Sequence, residues 1–126
     1  MTLYNLWRRW MDANALLKAI ERIGDEAPPN GIGAMACGDI ISAFDKASSE
    51  ADQPNLNALI WSLHQWVLGY TSACQTLRQV NLAAGLDDQA LNALIFDGCA
   101  EHPEQRFGVM IVHRLVERVR ARATHA

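Results

Sequence analysis

The 126-residue chain has no run of alternating apolar and polar residues long enough for a strand, no internal repeat and no low-complexity tract. That excludes sandwiches, barrels and repeat solenoids. Its apolar runs are short and broken by polar residues. None reaches the roughly 20 apolar residues that a membrane-spanning helix needs. Positive charge is not in excess: 11 Lys and Arg face 14 Asp and Glu, for a formal net charge of -3. An acidic balance argues against nucleic-acid binding driven by phosphate contacts. The phosphate loop, the dinucleotide fingerprint and the nucleophile-elbow serine are all missing. No secretory leader opens the chain, because Arg8, Arg9 and Asp12 interrupt the apolar residues after Met1. On this reading the protein stays in the cytoplasm, or it is periplasmic and a leader was removed. There are only three cysteines, an odd number. An exported protein could then hold one disulfide and one leftover thiol, whereas in the cytoplasm all three would be small buried hydrophobes.

What remains is helical periodicity in one domain, 1–126, large enough for a core of its own. Leu3 to Ile23 carries Leu3, Leu6, Trp7, Trp10, Ala13, Leu17 and Ile20 on one stripe, with Gly24 at its end. Trp7 and Trp10 either pack on the domain or present a partner-binding surface. Asp25 to Gly33, with two prolines and two glycines, reads as a linker within 25–34. It lets the first helix swing free or turns it back. The 35–122 core begins with a helix over Met35 to Ser49, where Cys37, Ile40, Ile41 and Phe44 share a face. A polar loop follows, and Pro54 marks a break with Asn55 as the next cap.

The organising stretch is Asn55 to Asn81. Leu56, Leu59, Ile60, Leu63, Val67, Tyr70, Cys74 and Leu77 fall at steps of 3, 1, 3, 4, 3, 4 and 3 over some six turns. Trp61, Trp66 and Leu68 lie off that line. The helix is thus apolar on several sides, which predicts burial among other helices, with a partner on the second side as the alternative. Gly69 inside it costs about 1 kcal/mol against Ala, an expected trade for close approach of another backbone. Asp87 or Asp88 caps a fourth helix bearing Leu91, Leu94, Ile95 and Cys99. Pro103 opens a fifth that runs to about Arg122, with Phe107, Ile111, Leu115 and Val119 inward. Arg114, Arg118, Arg120 and Arg122 read as a solvated face. The expected fold is all-α, about five helices around a long central one.

Chemistry is harder to find. His64 has apolar neighbours one turn away and reads as a structural histidine. His113 and Glu117 look like a surface pair. Cys99 and His102, one helical turn apart, allow a thiol- or metal-dependent enzyme as an alternative. Zinc would need two further ligands, and no second C-x-x-C or H-x-x-x-H pair supplies them. Cys99 also sits on the apolar side of its helix, which raises a thiol's pKa. No catalytic set, metal site or cofactor is therefore expected, and the chain reads as a binder of another protein.

Three segments occur in order: MACGDIISAF (Met35 to Phe44), QWVLGYTSA (Gln65 to Ala73) and GCAEHPEQRF (Gly98 to Phe107). This order resembles the small helical HdeA-type periplasmic acid-stress chaperones and the related secretion-system immunity proteins. The likeness covers Met35 to Val119. It implies a disulfide between Cys37 and Cys99, with Trp66, Gly69 and Tyr70 as packing residues of the central helix and Pro103 at the start of the last one. Cys74 departs from the pattern and reads as a free buried thiol. The resemblance points to an inhibitor or immunity factor, or to an acid-activated chaperone. An inhibitor of a host defence complex carried by a phage or mobile element is a further expectation. Trp7, Trp10 and Trp61 are the expected contacts to a protein partner, or to a second copy in a homodimer, and the Ser48 to Asn55 loop is a second candidate surface.

Overall fold

The computed structural model describes Ala15, Leu17, Lys18, Ile20 and residues 31–124. A 3-10 turn, Gly31–Ala34, is followed by four α-helices: α1 (Cys37–Ser49), α2 (Gln53–Arg78), α3 (Asp88–Glu101) and α4 (Phe107–Thr124). No strand occurs among the described residues, and one isolated antiparallel bridge joins Ala36 to Arg106. The fold is all-α, with four such helices among the described residues; the fifth expected helix, Leu3 to Ile23, falls mostly outside them. Of the predicted Leu3 to Ile23 helix, Ala15, Leu17, Lys18 and Ile20 are described and helical. Leu17 and Ile20 are buried in the main core cluster, so this part of the segment is turned back onto the domain. Trp7 and Trp10 lie outside the described residues. The expected linker is partly helical, since Gly31–Ala34 forms the 3-10 turn.

The ends of the helices follow from where unpaired backbone groups find partners. Asp52, not Asn55, caps α2: its carboxylate accepts from the Asn55 N–H at 3.3 Å. Pro54 sits in the first turn of α2, where its missing N–H does no harm, so it begins the helix instead of breaking it. Asp87 caps α3 by accepting from the Ala90 N–H at 2.7 Å. α1 has no side-chain cap. Its donors are met from across the chain: Cys37 N–H donates to the Gln105 carbonyl and Gly38 N–H to that of Pro103, each at 2.8 Å. Phe107 N–H returns a bond to the Met35 carbonyl at 2.8 Å. Pro103 is accordingly held in a loop, and the last helix opens at Phe107, four residues later than expected.

The most enclosed helix is α4 and not the predicted central one. Phe107, Met110, Ile111, Val112, Leu115 and Val116 are all buried. Successive residues at 110, 111 and 112 point about 100° apart, so their shared burial means cover on most sides. α3 packs on both α1 and α4, and the 3-10 turn lies against α2 and α4. α2 instead buries one face, through Leu63, Val67, Thr71 and Cys74. Trp61 is 65% exposed, Leu68 45% and Leu77 79%. The reason is length. α2 has 26 residues and α1, packed beside it, has 13, or about 39 Å against about 20 Å of helix. The last turns of α2 outrun that neighbour, which leaves Leu77 in water.

Gly69 corrects another expectation. It is exposed, and a Cβ added there would meet nothing within 4 Å. No neighbouring backbone uses its small size. Gly69→Ala should therefore stabilise the fold by about 1 kcal/mol through helix propensity alone. Urea unfolding checks this, and a lower midpoint would mean the space above Gly69 is occupied. The glycine that is needed is Gly33, whose added Cβ would fall 2.5 Å from the Trp66 ring.

Candidate protein-binding face

Of the predicted packing residues on α2, Leu63, Val67 and Cys74 are buried, while Trp66 and Tyr70 are half-buried. Trp66 stacks on Tyr70 (centroids 5.5 Å, 11° between planes) and meets the Phe107 ring edge-on at 5.7 Å. Burial pushes the Tyr70 hydroxyl up to about 12, and Cys74 adds to that shift. Burial also pushes the Cys74 thiol up, against smaller downward pulls from Tyr70 and Arg78. The sign for stability follows. The unfolded chain loses the Tyr70 proton near the ordinary 10.0, while the folded chain keeps it. Stability should fall from about pH 10 upward. A tyrosinate absorbance titration checks this, with one of the two tyrosines expected to ionise late; two equal steps near pH 10 would contradict it.

The structure brings Cys37 and Cys99 to disulfide distance, Cα–Cα 4.7 Å, with both side chains fully buried. Cys74 is the free, buried thiol. The Cys99 sulfur is directed at Cys37 and not at His102. His102 is half-exposed, caps the end of α3 and lies 3.8 Å from Glu104. Among the described residues, no group of three His, Cys, Asp or Glu side chains is placed to hold a metal ion. His113 and Glu117, with His102 and Arg114, line an open surface cavity of about 390 Å³. The α1–α2 loop frames another of about 350 Å³, lined by Lys46, Glu50, Asp52 and Asn55.

The arginines of α4 are not simply a solvated face. Arg114 pairs with Glu101, and Arg122 donates to the Ala84 carbonyl. Gly85, with φ +68°, lies against the Arg122 guanidinium. One Arg118 nitrogen is buried without a partner, and burial, reinforced by Arg122, pushes the pKa of that guanidinium down. Arg122 thereby pins the loop between α2 and α3 to the last helix, and Arg114 ties α3 to it.

The face left open is the outer side of α2. Every exposed residue from Gln53 to Leu77 is uncharged, and the helix carries no acid and no lysine; Arg78 is its last residue. Trp61 and Leu68 stand on this face seven residues apart, hence on nearly the same line. Beside them His64 is held by its Nε2 against Asn92 Oδ1 at 2.6 Å, with Nδ1 3.8 Å from Asp88. His64 is thus satisfied and joins α2 to α3. Trp61 could be singled out in the sequence because it lies off the buried stripe. Leu68 was noted there too, but the groove wall that Asp88 and Asn92 supply depends on how α3 packs.

Compared with family models, curated proteins and solved structures, the chain matches none of them. No helix among the described residues is long and apolar enough to cross a membrane.

Proposed function

We propose that this is a non-enzymatic helical protein that binds another protein through the outer face of α2, as an inhibitor, immunity factor or chaperone. The carrying observation is the exposed Trp61 on a helix face without charge. Interface cores are depleted of charged residues and enriched in aromatic ones, and tryptophan is prominent among the residues that dominate binding energy. The approach of Cys37 to Cys99 supports the resemblance to HdeA-type and immunity proteins. An inhibitor carried by a phage or mobile element would use the same face. The test is affinity capture from the native host. Wild type should recover one stoichiometric partner, and Trp61→Ala should lose it. Recovery of no partner, or equal recovery by both forms, overturns the proposal.

A second reading, the acid-activated chaperone, is favoured by the caps. Asp52 and Asp87 hold the N-termini of α2 and α3, and Glu101 pairs with Arg114. Losing these contacts would weaken both helix starts and the α3–α4 tie, exposing apolar surface. Suppression of client aggregation at about pH 3 but not at neutral pH would support it; equal inactivity at both removes it.

A further inference from the structure

We draw no further inference here: the strongest candidate, the outer face of α2 with its two open cavities, one walled by Asp88 and Asn92 and the other by Asn81, carries none because nothing in the structure shows what covers it.

Discussion

Cys99→Ala should lower unfolding free energy by about 4 kcal/mol, the value that the chain-entropy model gives for closing a loop of this size. The two cysteines are 62 residues apart in sequence. Joining them removes many conformations from the unfolded chain while fixing two fully buried side chains in the folded one. The bond also sits beside the ladder in which Cys37 and Gly38 donate to Gln105 and Pro103. Its loss should therefore be felt first as fraying between the start of α1 and the 102–106 loop. Against a typical total of about 5–15 kcal/mol, a change of this size shifts the urea midpoint strongly. Reducing the wild-type protein should reproduce the shift. Thiol titration should find one slow thiol, Cys74, in the native oxidised protein and three after reduction and unfolding. Equal midpoints with and without reductant, or three thiols in the untreated protein, would show that the pair is not oxidised in solution.

The buried line of α2 was readable because period alone fixes which residues share a face. Leu63, Val67 and Cys74 follow from that arithmetic, and so does the inward side of α4. A cap at Asp87 or Asp88 is readable because its reach is local, and the structure places it at Asp87. Period does not say how many neighbours a helix has. That is why Leu77 was placed inside and α2, not α4, was made the centre. A stripe can run for six turns while its packing partner is half as long. The cap at Asp52 is not legible in the sequence because Pro54 reads as a break, although proline is equally at home in a first turn. The start of α4 was missed for a different reason. The loop around Pro103 is held by donors from Cys37 and Gly38, and nothing within a few residues of Pro103 signals them. The candidate face divides the same way. Trp61 and Leu68 stand off the stripe in sequence, whereas Asp88, Asn92 and Asn81 join them only through the packing of α3 and its preceding loop.

Phe107→Ala should cost about 4 kcal/mol, within the range for truncating a fully buried aromatic. The ring has no exposure and meets Trp66 edge-on. Trp66 cannot easily fall into the gap, because it is stacked on Tyr70 and backed by Gly33. A cavity that cannot collapse gives the upper part of the range. Phe96 provides the contrast: it is only half-buried, beside Phe44 at 4.8 Å, and Phe96→Ala should cost clearly less. Near-UV circular dichroism should follow the Phe107 change, since Trp66 loses a neighbour that holds its ring. The N–H of Phe107 also bonds to Met35, two residues before Cys37. The aromatic cluster and the cysteine pair therefore act on one joint, where neighbouring effects do not add. Combining Phe107→Ala with Cys99→Ala would consume about 8 kcal/mol and leave little folded protein, so the milder Phe107→Leu serves for a double-mutant cycle. A coupling of at least about 0.5 kcal/mol is expected. Strict additivity would show that the Met35–Phe107 bond and the cysteine pair stabilise separate parts of the molecule.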